Sequence, residues 1–173
     1  MNKLTQYGHP FQTKALAALV TDRDFLQQSA DIVSPEYFDS DASKWIVRKT
    51  LTYFSEYRTT PTMEVFKVET EKIENEVQAV AVKEQLKATY HSSQAKDLAY
   101  IKDTFLDFCK NQTLKNALIR SVDLLELGDY DDIRNLIDKA LKAGVERDLG
   151  HEYIAEIEDR YRAESRYTIE TPW

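Results

Sequence analysis

KDLAYIKDTFLDFCKNQTLKNALIRSVDLLELGDYDDIRNLIDKALKAG, residues 96–144, decides the fold. From Lys96 to Leu127 there is neither glycine nor proline, so nothing interrupts a helix. Leu98, Ile101, Phe105, Phe108, Ile119 and Val122 keep a three-four spacing broken only at Gln112 and Lys115, and Leu114, Leu118 and Leu125 form a second stripe beside it. At 1.5 Å per residue such a helix is about 45 Å long, more than a compact domain of this size needs. Gly128 is placed to end it in a left-handed turn, and Asp129 to cap the return helix. Ile133, Leu136, Ile137, Ala140 and Leu141 then recur at i, i+3, i+4, i+7 and i+8 until Gly144. The pattern predicts an antiparallel helical hairpin.

Upstream, the reading is helical throughout. Pro10 suits a first helical turn, followed by a stripe of Ala15, Leu16, Leu19 and Val20. Asp22 is a cap for a second helix with Phe25, Leu26, Ala30 and Ile32, and Ser34-Pro35-Glu36 starts a short one with Tyr37 and Phe38. Asp41 opens a longer helix in which Trp45, Ile46, Val47, Leu51, Tyr53, Phe54 and Tyr57 read as core, stopped by Thr59-Thr60-Pro61. Thr62-Met63-Glu64 begins the next, with Val65, Phe66 and Val68. After Glu74-Asn75-Glu76 comes a helix with Ala79, Val82, Leu86 and Tyr90, and then a loop at His91-Ser92-Ser93-Gln94. Downstream, Val145 to Gly150 is polar, and Tyr153, Ile154, Ile157 and Tyr161 form one narrow apolar stripe. The expected organisation is a domain over 1–145 (head 1–95, hairpin 96–144) and a linker over 146–173 with a docking helix at 151–163. An end at Trp173 without a polar tail reads as a cut within a longer polypeptide.

Composition bounds the function. The 173 residues carry 31% charged and 42% hydrophobic side chains, a folding composition. With only 4 Gly and 4 Pro, an all-β or glycine-rich nucleotide-binding fold is disfavoured. A net charge of −7 makes the whole surface a poor match for a phosphate backbone, so DNA contact is expected to be weak or absent. One cysteine fits a reducing compartment. No apolar run is long enough for a membrane span, and residues 1–10 hold no signal-like core.

Chemistry-bearing motifs are scarce. Gly144 and Gly150 are one residue too far apart for a P-loop and lead into His151-Glu152 instead of Lys-Ser/Thr. Asp148 and His151 are the nearest approach to a Glu-x-x-His metal motif, and they occur once. His9, His91 and His151 stand apart near helix ends, and Cys109 reads as an inert, half-buried side chain with Lys110 as its one basic neighbour. Tyr53, Phe54 and Tyr57 offer a base-stacking platform in principle, but their helical spacing beside Val47 and Leu51 reads as core. Arg160, Arg162 and Arg166 alternate with Glu158, Asp159 and Glu164 as a solvated face or an interdomain contact. No catalytic, cofactor or metal residues are therefore assigned in this segment.

The order of these elements resembles the N-terminal domain of DnaB-like replicative DNA helicases, of the tailed-phage type. The resemblance rests on Phe11 to Asp22, on Asp31-Ile-Val-Ser-Pro-Glu-Tyr-Phe38, on Tyr53 to Tyr57 followed by Thr60-Pro61-Thr62, and on Gly150 to Arg162 with Thr168 to Trp173. It implies an all-α head with a protruding helical hairpin, and a collar built by pairing of hairpins into a dimer or hexamer above an ATPase ring. Leu118, Ile119, Val122, Leu125, Ile133, Ile137 and Leu141 would be the subunit interface. Tyr153, Ile154, Ile157 and Tyr161 would dock on a neighbouring subunit's ATPase domain. Primase and a helicase loader would bind the collar, in the cytoplasm of a host cell. ATP, Mg, the Walker motifs and unwinding would belong to a RecA-type domain beyond Trp173. The alternative from the residues is a free-standing helical replication adaptor such as a helicase loader; a helix-bundle enzyme is disfavoured by the missing chemistry.

Overall fold

The computed structural model describes residues 3–143. The chain is all-helical there, with seven α-helices and no strand among the described residues. They are α1 (His9–Thr21), α2 (Arg23–Ser29), α3 (Asp41–Tyr57), α4 (Met63–Glu71), α5 (Glu76–Ser92), α6 (Leu98–Glu126) and α7 (Tyr130–Lys142), with short 3-10 turns at Leu4–Tyr7 and Pro35–Tyr37. The expected docking helix 151–163, its residues Tyr153, Ile154, Ile157 and Tyr161, the 145/146 boundary, Asp148, His151 and Arg160, Arg162 and Arg166 lie outside the described residues.

Polar side chains cap four of the helices, α3 through Ser40 instead of the expected Asp41. The Asp22 carboxylate accepts from the Phe25 N–H at 3.1 Å, Ser40 Oγ from Ser43 at 3.1 Å, and Thr62 Oγ1 from Val65 at 3.4 Å. Asn75 Oδ1 accepts from Val77 and Gln78. Each occupies one of the orphan donors of a first turn and contributes about 1 kcal/mol. α5 runs on through Ser92, so His91 and Ser92 are helical and the expected loop begins only at Ser93.

α1 is the centre of the head. Its sequence predicts one stripe, but Phe11, Gln12, Thr13 and every residue from Ala15 to Val20 are buried. It touches α2, α3, α5 and α6, and a helix enclosed on all sides must be apolar or satisfied all round. Alanines 15, 17 and 18 let neighbours approach closely. The long buried polar side chain, Gln12, is held at both ends of its amide: its Nε2 donates to Asp39 Oδ2 at 2.7 Å, and its Oε1 accepts from the Asp39 N–H at 3.0 Å.

The first half of α6 belongs to this core. Ile101, Phe105, Leu106, Phe108 and Cys109 join one cluster with Leu16, Leu19, Phe25, Phe38 and Ile46. The head therefore extends into α6, and the hairpin proper begins near Thr113 instead of at residue 96. Cys109 is fully buried, not half-buried, and burial pushes its thiol far up. Tyr57, read as core, is exposed and packs at a tilt against Tyr53, ring centroids 4.5 Å apart, while Phe54 is buried. α3 ends there because Arg58 turns left-handed (φ 58°).

Two long-range ion pairs aim α6 across α1. Lys102 Nζ meets Asp22 Oδ2 at 2.6 Å, and Lys14 Nζ meets Asp97 Oδ2 at 2.8 Å. Burial pushes the Asp22 carboxyl up, but the Lys102 hydrogen bond and the Phe25 cap outweigh it and leave the group below its ordinary range. Asp39, Glu69 and Asp97 are lowered too, each chiefly by a side-chain donor: Thr5, Lys49 and Lys14. Such groups stabilise the fold above their unfolded pKa, and the contribution disappears as pH falls through the folded value. Stability should therefore decline as pH drops from about 5 through the carboxylate range. Asp22→Asn keeps the cap acceptor and loses the charge; with the pair about a third exposed, it should cost under about 1 kcal/mol and flatten that decline. Asp22→Ala should cost about 1 kcal/mol more. Urea unfolding across pH checks both; equal losses in the two variants would contradict the cap.

Candidate docking surface on the hairpin

The second half of α6 leaves the head and α7 returns along it. The turn between them is a complete left-handed cap. Gly128 has φ +71°, its N–H donates to the Leu125 carbonyl at 3.1 Å, and the Asp129 N–H donates to the Leu124 carbonyl at 3.0 Å. Asp129 takes the N-cap position of α7 but its carboxylate makes no cap bond. It faces Asp132 instead, and the hydrogen bond between these two carboxyls, followed by the nearby charges of Asp129 and Asp131, raises Asp132.

The seam between the helices uses small residues on α6. Ala117 and Ser121 are buried, with Leu124 half-buried; Ile133, Leu136, Ile137 and Ala140 of α7 are half-buried against them. No residue of α7 is fully buried, because two helices alone offer each other one contact line. Ile133 and Ile137, expected at a subunit interface, thus serve the intramolecular seam first.

A residue one position beyond a seam residue is turned about 100° around its helix. On α6 these are Leu118, Val122 and Leu125, with exposures of 53%, 57% and 56%. On α7 Leu141 takes this place, with Arg134 beside it, and Tyr130, eleven residues earlier and so only about 20° away round the helix, shares its side; Tyr130 and Leu141 are both exposed. Both helices are right-handed and run antiparallel, so the same rotational step leads to the same side of the hairpin. Five large apolar side chains therefore share one flank. Ile119, also expected at the interface, is exposed farther round α6. Tyr130 escaped the sequence reading; its i, i+7, i+11 column with Ile137 and Leu141 is the signal that reveals it.

The other flank is polar. Residues one position before the seam, Asn116 and Arg120 on α6 and Asn135 and Lys139 on α7, face a groove of about 790 Å³ in the corner between hairpin and head. The head side of the groove comes from Asp31 to Tyr37. Tyr37 hydrogen-bonds Thr113 and packs edge-on against Phe108; burial first, then the neighbouring Cys109, pushes its phenol to about 12. A smaller groove of about 500 Å³ lies between α3 and α4, with Tyr53, Tyr57, Pro61 and Val68 among its lining.

His9 and His91 lie exposed at opposite helix ends, and no cluster of metal-ligating side chains occurs among the described residues. Among the described residues, no helix is long and apolar enough to cross a membrane. Compared with family models, curated proteins and solved structures, the chain finds no match in any of the three.

The turn has a direct test. A Cβ at Gly128 meets nothing within 4 Å, so only its backbone conformation opposes substitution. Gly128→Ala should destabilise the hairpin by about 1 kcal/mol through the left-handed penalty, and Gly128→Asn by less. Thermal unfolding followed by circular dichroism checks the order.

Proposed function

We propose that this chain is an oligomerisation and protein-docking domain, the collar of a DnaB-like replicative DNA helicase. The observation that supports it is the one-sided apolar flank of Leu118, Val122, Leu125, Tyr130 and Leu141 on a hairpin standing clear of the head. Exposed leucines gathered on one side of an elongated element mark an association surface. A two-fold contact between two such flanks meets the demand with one patch used twice. Each side chain, half exposed now, gains roughly 1 kcal/mol when covered. That is enough for a dimer that larger assemblies reinforce, and too little for a tight isolated one.

In this reading the collar joins a neighbouring subunit's ATPase domain through residues 146–173 and receives primase and a helicase loader. ATP and Mg belong to a RecA-type domain encoded beyond residue 173. A P-loop in that reading frame supports the helicase; a free-standing chain that still pairs is the adaptor.

The 173-residue chain should sediment with a dimer component at about 100 µM. Leu118→Asp with Val122→Asp should abolish it and leave helicity unchanged, since neither side chain serves the seam. Ile133→Asp should instead lower the melting temperature of the monomer as well. A wild-type monomer at that concentration sinks the pairing surface.

The purified chain should neither hydrolyse ATP nor unwind duplex DNA. Turnover stimulated by single-stranded DNA, in preparations free of contaminating ATPase, would overturn the assignment of catalysis to another domain.

A further inference from the structure

α3 and α4 are joined by the turn 58–62, and both pack on α5. The groove of about 500 Å³ between them is tied across by an ion pair: Lys49 Nζ on α3 meets Glu69 Oε2 on α4 at 2.8 Å. Among the described lining residues Lys49 is the one cation, and this pair occupies it. Glu56 and Glu64 line the same groove and pair with no cation among the described residues. One ammonium thus faces three carboxylates.

The rest of the lining is largely apolar. Tyr53 and Tyr57 stand one helical turn apart, and Pro61, Val65 and Val68 come from the turn and from α4. Tyr53 covers one side of the Tyr57 ring, which at 62% exposure is otherwise open, and Val68 is 56% exposed. An apolar lining alone selects no partner, but carboxylates beside an open aromatic ring do. A guanidinium is planar: it stacks on a tyrosine face and donates to carboxylates at its edge. An acidic segment or a phosphate backbone is repelled by the unpaired glutamates.

We propose that the α3–α4 groove docks a segment of another protein in which an arginine stands next to apolar side chains. The guanidinium stacks on Tyr57 with Glu56 and Glu64 as its carboxylate partners, and the apolar neighbours cover Val65 and Val68. The groove belongs to the head and shares no residue with the hairpin flank, so it does not depend on the collar reading.

Peptide display tests the site. A library of random peptides, each about twelve residues long, is panned on the immobilised 173-residue chain, with the Glu56→Gln, Glu64→Gln variant as counter-selection. Both glutamates are exposed and make no ion pair among the described residues, so circular dichroism of that variant should be unchanged. Enriched sequences should place an arginine beside apolar residues. A synthetic copy of the most enriched one should shift the backbone amide resonances of Tyr53, Tyr57, Val65 and Val68. It should saturate at about 0.1 mM, weakly because a short flexible peptide loses much freedom on binding. Replacing its arginine by citrulline, similar in shape but uncharged, should weaken it at least about fivefold in wild type and hardly at all in the double glutamine variant. Tyr57→Ala should weaken it several-fold. Four results overturn the proposal: no enrichment over the variant, enriched sequences without arginine, shifts that map outside the groove, or groove resonances that move on dilution of the Leu118→Asp, Val122→Asp variant without peptide, which report a second copy. None of these bears on dimer formation through Leu118 and Val122, so the two readings fail separately.

Discussion

Everything outside the head depends on how α6 is rooted. Phe105 is fully buried where α6 crosses α1 and α2, with Ile101, Phe108 and Cys109 on the same inner side. Removing such a ring costs about 3–5 kcal/mol, the scale of a small domain's whole stability. A helix is stiff, so fixing its first four turns fixes the direction of the rest. The ion pairs of Lys102 with Asp22 and of Lys14 with Asp97 add little energy, being partly exposed, but they select one orientation of α6 over α1. The projecting half then has no core to reach and can bury apolar side chains only against α7 or another surface.

That constraint explains the composition of the hairpin. The α6 seam is built from Ala117 and Ser121, small enough for α7 to lie close, and Ser121 satisfies its hydroxyl by donating to the Ala117 carbonyl at 2.7 Å. Close approach of the axes leaves the larger Leu118, Val122 and Leu125 outside the contact. A hairpin stable only in isolation would carry polar residues there. The cost of exposed leucines makes sense when they have a use.

Local chemistry was legible in the sequence. α3 is capped by Ser40, one residue before the expected Asp41, and α5 by Asn75 within the expected polar break, while Asp22, Ser34 and Thr62 cap through bonds spanning two or three residues, so the pattern that predicts them is the pattern that forms them. Gly128 is the same case. Asp129 broke the pattern: it stands at the N-cap position of α7 but its carboxylate makes no cap bond. Tyr57 was misplaced because helical periodicity fixes a face but not how far the neighbouring helix covers it; Tyr57 is exposed at the groove between α3 and α4. The split of α6 between head and hairpin was invisible for a related reason. Its apolar spacing continues across Gln112 and Lys115, whether the partner is a head or solvent. The Gln12–Asp39 clasp and the corner groove join segments far apart in sequence, which no local pattern announces.

The hairpin separates two kinds of contact by handedness alone. One step past the seam leads to Leu118, Val122 and Leu125 on α6 and to Leu141, with Arg134, on α7, and one step before it leads to Asn116, Arg120, Asn135 and Lys139. Partners on the two flanks do not compete for space, and each flank draws on different side chains of the same helices. Any influence of one contact on the other must therefore pass through the seam itself, where α7 holds on with half-buried residues and no fully buried anchor. A second helix surface laid against either flank would cover part of that seam and tighten it.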